Sequence, residues 1–367
     1  MKKYLYSLGL MSGTSIDGID ASIIKSDGEQ FIEIIDNIYL KYRNEQKAKL
    51  KKLINSCKSK NDLIKLSGNI KDVEKEITLH HFEACKLIAK KNRNVKIDLI
   101  GFHGQTIIHK PKDGYSIQIG DSKSLSKLTN TKIVSNFRQN DILNGGQGAP
   151  LAPLYHQLIL NKIKSELPSA IINIGGISNI TYVDKKNKII SFDTGPGNYL
   201  IDKWVKSKTK KDFDKDGLIS KSGRPNESII KKFLSNSYYK KNFPKSLDIK
   251  DFNLHIINKL SLQDGCATLA MVTVKSICMA LNNFKHIPNL TLISGGGRKN
   301  KYIVKNIKKN FNGKVTLIDN FNLDGDYIES QAFGYLAIRS YLKKKLTFPA
   351  TTGVSSPSTG GKIFMKY

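Results

Sequence analysis

The stretch "SLGLMSGTSIDGIDASII", residues 7–24, places a dense polar turn between two apolar runs. The residues of the turn are small, hydroxyl-bearing or acidic: Ser12, Gly13, Thr14, Ser15, Asp17, Gly18 and Asp20. A structural hairpin needs about one Gly and one Asp or Asn. The additional hydrogen-bonding groups favour a ligand-binding turn, and a plain hairpin with Asx-turn chemistry remains the alternative.

The composition is that of an ordinary globular chain with room for two domains. The chain has 367 residues, of which 39% are hydrophobic, and this length is ample for a sizeable core. Because no run approaches 18 consecutive apolar residues, no membrane-spanning helix is predicted. Cys57, Cys85, Cys266 and Cys278 lie far apart and form no CxxC pair. Their spacing predicts reduced, packed thiols in a cytoplasmic protein.

The formal net charge of +29 comes mainly from lysines that are spread along the whole chain. Only six of the 60 basic residues are arginine, which is the side chain that reads DNA bases best. The distribution therefore predicts solvated surfaces and no nucleic-acid partner, with a basic nucleic-acid-binding protein as the remote alternative. A positive field would also attract anionic small molecules such as nucleotides.

Each half of the chain is predicted to begin with a strand, a glycine turn and a second strand. The second half starts this pattern again in "SAIINIGGISNITYVD", residues 169–184. The loop "NGGQGAPLAP", residues 144–153, is densest in glycine and proline, so we place the boundary there. The prediction is an α/β protein with two similar lobes, residues 1–143 and 144–367, and a nucleotide cleft between them.

The glycine-rich turns have the properties of phosphate-binding loops. Glycine lets an oxyanion approach backbone N–H groups closely, and carboxylates such as Asp17 and Asp20 can hold Mg²⁺ directly or through water. A further glycine cluster, residues 295–297, is predicted to end a strand and begin a helix, which suits packing on a flat nucleoside. The glycine-rich positions beyond the first turn are Gly175, Gly176, Asn179, Gly295, Gly296 and Gly297. Neither a Walker A loop nor G-x-G-x-x-G is present.

A set of motifs in one order along nearly the whole chain resembles the anhydro-N-acetylmuramic acid kinase family, of the actin-like, hexokinase-type ATPase fold. The most specific motifs are "GLMSGTSIDG" and "FDTGPGN". The others are "GFHGQTIIH", "NGGQGAPLAP", "NIGGISNIT", "DGCATLA", "SGGGRKN" and "DGDYIESQAFGYLA".

The resemblance implies a cytoplasmic kinase of cell-wall recycling. Such an enzyme binds ATP between two lobes and opens the internal bridge of 1,6-anhydro-N-acetylmuramic acid with water. It phosphorylates O6, giving N-acetylmuramate 6-phosphate and ADP. By matching motifs, Asp193 would be the catalytic base and Glu329 a supporting acidic residue. The residues expected to face the ATP phosphates are Gly13, Thr14, Ser15, Ile16, Asp17, Gly18, Ile19 and Asp20.

A single carboxylate can be enough for this chemistry. Glycoside hydrolysis usually needs one carboxyl group as a base for water and another as an acid for the departing oxygen. In a kinase that opens the ring, the departing O6 can attack the γ-phosphorus instead of taking a proton. Only the water then needs a general base. For Asp193 the alternative is a structural aspartate at a turn or helix N-terminus.

The predicted sugar contacts are His103, Gln105 and Thr106, a polar triplet just past a strand end, and Arg138, a candidate for a substrate carboxylate or phosphate. For the triplet, a network that stabilises the loop is the alternative. The family usually has Asp where this chain has Asn136. It also usually has Pro-Lys-Ser-Thr-Gly-Arg-Glu in the segment where this chain has "FPKSLDIKDFN", residues 243–253.

These departures keep a second function open, a kinase of the same fold that acts on a different amino or anhydro sugar. An actin-like assembly protein that uses ATP as a switch is a third alternative. The residues do not decide between a monomer and a homodimer.

Overall fold

The computed structural model describes residues 3–13, 15–247, 252 and 254–365. Thr14 lies outside the described residues. The strands are β1 (Leu5–Ser12), β2 (Gly18–Ser26), β3 (Ile32–Lys41), β4 (Leu99–Lys110), β5 (Tyr115–Ile119), β6 (Lys132–Ser135), β7 (Ser169–Ile174), β8 (Ile177–Val183), β9 (Ile189–Pro196), β10 (Leu290–Ser294), β11 (Val315–Leu317) and β12 (Lys362–Phe364).

Helices fill most of the remaining chain. They are α1 (Asn44–Ser56), α2 (Lys60–Lys65), α3 (Ser67–Lys91), α4 (Ser122–Thr129), α5 (Gln139–Leu143), α6 (Pro153–Lys162), α7 (Tyr199–Lys208), α8 (Leu218–Ser222), α9 (Glu227–Leu234), α10 (Leu262–Asn282), α11 (Lys301–Asn310), α12 (Ile328–Tyr341) and α13 (Pro349–Thr352). Short 3₁₀ turns connect several of them, including Gly296–Lys299, which follows β10.

The chain forms two compact units. Unit 1 comprises Met1–Lys162 and Tyr327–Tyr367, and unit 2 comprises Ile163–Asp326. These limits differ from the expected break after residue 143. The predicted boundary loop belongs to unit 1 because α6, which follows it, packs against α12 of the same unit.

Unit 1 contains a seven-stranded mixed sheet in the order β12-β6-β4-β1-β2-β3, with β5 paired to the second half of β4. The first three strands form an antiparallel meander, and β4 and β6 continue the sheet parallel to β1. The predicted strand–turn–strand pattern is confirmed by β1 and β2, and β4 and β5 form a further hairpin that turns at Asp113–Gly114. At that turn Gly114 adopts a left-handed φ of 80°.

Unit 2 repeats the same strand order in a five-stranded sheet, β11-β10-β7-β8-β9. Again an antiparallel meander comes first, and the two following strands add parallel to its first strand. Two similar α/β halves are therefore confirmed. In both units, the glycine turn lies between the first two strands of the meander.

Each sheet packs against one long, largely buried helix. In unit 1, α12 contacts β1, β2 and β4, and the lack of a side chain at Gly9 and Gly101 permits this close approach. In unit 2, α10 forms the centre of the core. By length and composition α10 could cross a membrane, but 83% of its apolar 18-residue stretch is buried within the fold, as in a core helix.

Candidate functional site

The turn between β1 and β2 is held by buried side chains beneath it. Ser12 Oγ donates to Gln105 Oε1 at 2.5 Å and lies 2.9 Å from Tyr42 Oη. Gln105 Nε2 donates to the Gly13 carbonyl at 3.2 Å. A Cβ built on Gly13 would meet, among the described residues, only Ser15 Oγ, at 3.9 Å. The backbone at Gly13 can thus be approached closely, as a phosphate-binding turn requires.

The other residues predicted to bind phosphate or metal in this turn have different environments. Ile16 and Ile19 are buried in the core of unit 1, and Ile16 has a left-handed φ of 57°. The Asp17 carboxylate forms an ion pair with Lys47 Nζ. Asp20 lies half-buried on β2, directly opposite Met11 of β1.

In unit 2 the second glycine cluster (Gly175 and Gly176) and the third (Gly295, Gly296 and Gly297) lie side by side because β10 pairs with β7. A Cβ on Gly295, where φ is 75°, would lie 2.1 Å from Asn173 Oδ1, and a Cβ on Gly297 would lie 2.2 Å from Ile174 Cγ2. Gly296 has open space among the described residues within 4 Å. The close packing therefore requires glycine at two of the three positions, and the middle one can be approached from outside.

The turn between β7 and β8 is fixed by the segment that opens α7. Gly197 N donates to the Gly176 carbonyl at 2.9 Å, and Asn198 N donates to the Gly175 carbonyl at 2.8 Å. A Cβ on Gly197 would lie 2.2 Å from the Gly175 oxygen. The "DTGPGN" motif thus connects the turn to the strand that carries Asp193.

Asp193 lies on β9, directly opposite Asn179 of β8. Its carboxylate Oδ2 accepts from Leu247 N at 2.8 Å. Its backbone N–H donates to the Lys245 carbonyl at 3.0 Å, and its own carbonyl accepts from Tyr238 Oη. The strand and the segment 238–247 therefore hold both the backbone and one carboxylate oxygen of Asp193.

Burial raises the pKa of Asp193 to about 7, and the hydrogen bond from Leu247 opposes this shift without cancelling it. A carboxylate with a pKa near neutrality is a far stronger base than an ordinary aspartate and is still largely ionised at pH 7.5. A pKa in this range suits general-base chemistry.

The contacts from residues 238–247 were missed by sequence reasoning. Leu247 and Lys245 act through backbone groups, which leave no signature in residue type. The sequence signals this segment only as a departure from the family pattern. Residues 248–251 and 253, which belong to the 243–253 segment that departs from the family pattern, lie outside the described residues.

In unit 1 the structure brings three predicted site residues together. Arg138 Nε and Nη2 lie 3.2 Å and 2.9 Å from His103 Nε2. Glu329, in the first turn of α12, interacts electrostatically with Arg138. Burial raises the pKa of Glu329 more than the arginine lowers it. Thr106, farther along β4, accepts from Gln118 Nε2 at 3.3 Å.

A cavity of about 400 Å³ opens beside this group in unit 1. His103 forms part of the cavity wall. The wall also includes polar side chains, namely Ser116, Gln118, Ser122 and Asn136. The volume lies in the range of small-ligand pockets. Asn136 has a left-handed φ of 59°, a conformation that Asn tolerates better than most residues.

Arg298 forms an ion-pair network behind the third glycine cluster. It is 6% exposed and pairs with Asp319 (Nε–Oδ2 2.8 Å, Nη2–Oδ1 3.0 Å) and Asp326 (Nη1–Oδ1 2.6 Å). It also contacts Asp324 and the Gly295 carbonyl, at 3.3 Å each. Bidentate charged pairs of this kind fix a loop precisely in space, so the network fixes the glycine cluster to residues 318–326.

Similarities to solved structures extend over most of the chain at low sequence identity. A ROK family glucokinase from Streptomyces griseus, in complex with glucose and AMPPNP, is 12% identical with a TM-score of 0.40, covering 90% of this chain and 99% of that one. An activator of 2-hydroxyisocaproyl-CoA dehydratase from Clostridium difficile with bound ADPNP is 14% identical with a TM-score of 0.44, covering 92% and 96%.

Similarities to curated sequences are much stronger. A family model described as anhydro-N-acetylmuramic acid kinase matches residues 5–366. A protein of that name from Pelagibacter ubique is 46% identical and covers 100% of both chains. Another from Zymomonas mobilis is 38% identical and covers 98% of this chain and 99% of the relative. The chain therefore belongs to the anhydro-N-acetylmuramic acid kinase family.

Proposed function

We propose that this chain uses ATP to phosphorylate 1,6-anhydro-N-acetylmuramic acid at O6, giving N-acetylmuramate 6-phosphate and ADP. The observation that carries the proposal is the full-length similarity to relatives of that name, 46% identical over both whole chains. The position and the pKa of Asp193 support the same reaction, because opening the bridge with water needs a base.

In the proposed reaction, Asp193 takes a proton from a water molecule whose oxygen attacks C1 of the sugar. The C1–O6 bond breaks, and O6 attacks the γ-phosphorus of ATP while ADP departs. Leu247 N–H occupies Oδ2 of the carboxylate, so Oδ1 is the oxygen that we assign to the water. Asn179, opposite Asp193, is placed to help orient the reacting groups.

We assign phosphate binding to the two glycine turns. The open backbone at Gly13 supports this assignment in unit 1, and the fixed turn at Gly175 and Gly176 supports it in unit 2. The open position at Gly296 favours nucleoside contact by the third cluster.

The acidic residues of the first turn fit a magnesium ion. No group of three or more His, Cys, Asp or Glu suited to a metal occurs within the described residues. Mg²⁺ needs no such cage, since it commonly takes one or two carboxylates together with substrate phosphates. Asp17, which forms an ion pair with Lys47, and Asp20 are the candidate ligands, directly or through water. When bound, Mg²⁺ neutralises charge on the phosphates.

We assign sugar binding in unit 1 to His103, Gln105, Thr106 and Arg138, with Glu329 as the supporting acidic residue. Gln105 is fully buried and its amide already holds the first turn, so its contribution would be to keep that turn in place.

All four cysteines are free and buried, which is compatible with the proposed location in the cytoplasm. A reducing compartment would keep these thiols unpaired.

The test is ADP release from the purified chain with a panel of sugars: 1,6-anhydro-N-acetylmuramic acid, its ring-opened counterpart and other anhydro sugars. We expect turnover with the anhydromuramic sugar and its loss in Asp193→Asn, by about 10²–10⁴-fold, while ATP still binds. Preference for another anhydro sugar would replace the substrate assignment, and ADP release without dependence on sugar would overturn the proposal.

A further inference from the structure

The guanidinium of Arg138 is only partly used by the protein. Arginine has five N–H donors. Nε and one hydrogen of Nη2 point to His103 Nε2, and one hydrogen of Nη1 goes to the Gly148 carbonyl at 2.6 Å. Within the described part of the chain, no acceptor lies in hydrogen-bond range of the second hydrogen on Nη1 or on Nη2. Each terminal nitrogen therefore keeps one N–H without a hydrogen-bond partner among the described residues.

His103 is in a form that can only accept from this arginine. Its Nδ1 lies 2.8 Å from the Gly104 carbonyl, which is an acceptor, so Nδ1 must carry the proton. Nε2 then has a free lone pair, which is what the donors of Arg138 require. Burial and the positive charge of Arg138 both hold the pKa of His103 well below its usual range, so the ring stays neutral.

Neighbouring groups hold both His103 and Arg138 in place. His103 is 4% exposed, and its ring packs against Phe333 at 4.6 Å between centroids. Gly148, the other partner of Arg138, is itself held by Asp141 Oδ2, which accepts from its N–H at 2.6 Å. The guanidinium is therefore held from two sides. Since each terminal nitrogen keeps an N–H without a hydrogen-bond partner among the described residues, the arrangement is suited to an anionic ligand.

We propose that His103 is a positioning residue that presents the two open N–H groups of Arg138 to a carboxylate of the sugar substrate. This inference rests on the proposed function. A muramic acid differs from the corresponding glucosamine by a lactyl ether that carries a carboxylate. One donor on each terminal nitrogen matches the two oxygens of a carboxylate in the bidentate mode.

Glu329 and Asp141 are the acidic groups near Arg138 that could compete for these donors. Asp141 already accepts from Gly148 N and from Thr352 Oγ1. Among the described residues, no hydrogen bond joins either carboxylate to the guanidinium. The open donors are therefore available to a ligand. The pair would make the enzyme select the muramic over the glucosamine form of the anhydro sugar.

The test measures dissociation constants by titration calorimetry on the full chain with a non-hydrolysable ATP analogue. The ligands are 1,6-anhydro-N-acetylmuramic acid and 1,6-anhydro-N-acetylglucosamine, which lacks the lactyl carboxylate. We expect the wild type to prefer the muramic sugar by roughly 10- to 100-fold, the value of a charged hydrogen-bond pair. In His103→Leu this preference should fall to within about threefold.

His103→Gln is the matched variant, because its amide offers both an acceptor for Arg138 and a donor for Gly104. It should restore a substantial part of the preference, which a purely structural role of the ring would not require. If His103→Leu does not fold by circular dichroism, Arg138→Lys serves instead, and a single ammonium should likewise reduce the preference.

The outcomes separate the two proposals. Binding of neither sugar by the wild type would count against the proposed function itself. Equal binding of both sugars by an active wild type would show that Arg138 does not read the carboxylate. A preference that persists unchanged in folded His103→Leu would show that the histidine does not position the arginine.

Discussion

Asp193 has a pKa of about 7 because burial disfavours its charge. The proposed base must be ionised to accept a proton from water, so activity should be lost on the acid side of this value. We expect kcat/KM to decrease about tenfold for each pH unit below about 6.5 and to level off above about 8. Initial rates between pH 5 and 9, at saturating ATP, measure this profile. A flat profile down to pH 5 would contradict the assignment of the base.

The same carboxyl group should affect stability in the opposite direction. Its pKa is 3.8 in the unfolded chain and about 7 in the fold, so between these values the folded state holds more protons. The free energy of unfolding therefore falls as pH rises through this window. We expect Asp193→Asn to be more stable than the wild type at pH 8, by about 1 kcal/mol or more, and similar to it at pH 4.

Thermal unfolding of both proteins at pH 4 and pH 8 measures this difference without any substrate. Asp184→Asn, at an exposed turn of the same unit that also accepts backbone N–H groups, is the control and should show no gain at pH 8. An equal Tm for wild type and Asp193→Asn at pH 8 would mean that the carboxylate is well solvated.

At the residue scale, the sequence singled out Asp193 and Arg138 as candidates but not the groups that contact them. Residue types predict which side chains can carry charge or accept a proton. They do not predict Leu247 N–H, because every residue except proline has that donor. They also do not predict that His103 accepts from Arg138, which depends on the tautomer that the Gly104 carbonyl selects.

Helix α12 can lie directly on the sheet of unit 1 only where side chains are absent. A Cβ on Gly9 would lie 1.8 Å from the Ser330 oxygen, and a Cβ on Gly101 would lie 2.2 Å from the Phe333 oxygen. We expect Gly9→Ala to lower the free energy of unfolding by about 1–3 kcal/mol or more, because backbone must move.

Denaturant titration gives this free energy directly. Gly68→Ala is the matched control, since among the described residues nothing lies within 4 Å of its Cβ position. Gly68 is in α3, where alanine is favoured over glycine, so its replacement should be neutral or stabilising by up to about 1 kcal/mol. Equal effects of the two substitutions would show that α12 does not press on β1.

Arg298 connects two loops of unit 2, and lysine cannot reproduce its planar fork. We expect Arg298→Lys to raise the KM for ATP by about tenfold, with a smaller change in kcat, because the glycine cluster loses its fixed position. Initial rates over a range of ATP concentrations test this. Arg224 is an exposed arginine of the same unit, so Arg224→Lys is the control and should leave KM unchanged. An unchanged KM for ATP in Arg298→Lys would show that the ion-pair network does not contribute to nucleotide binding.

At the element scale, the strand–turn–strand patterns and the glycine turns were predictable because they follow hydrophobic periodicity and turn chemistry. The order of strands in each sheet was not, because pairing between distant segments depends on packing. The parallel pairing of β10 with β7 brings the second and third glycine clusters together, although more than 110 residues separate them in the sequence.

At the scale of the whole molecule, the sequence predicted two similar halves but placed the division at a single loop. The structure instead returns the chain to unit 1 at Tyr327 after completing unit 2. Composition signals where a loop lies, but it does not signal which core a later helix will join. The apolar side chains of α12, including Ala332, Leu336 and Ile338, are fully buried or nearly so and complete a core that begins at residue 5.

This connectivity predicts the behaviour of shortened chains. A chain ending at Asp326 lacks α12 and leaves the apolar faces of β1, β2 and β4 uncovered, so unit 1 should not fold. Unit 2, Ile163–Asp326, is continuous and should remain as a protease-resistant fragment. A chain ending at Gly361 keeps α12 and loses only the edge strand β12, so it should fold. Limited proteolysis with mass spectrometry distinguishes these products. If the chain that ends at Asp326 gave a resistant fragment covering residues 5–162, unit 1 would not need α12 to fold.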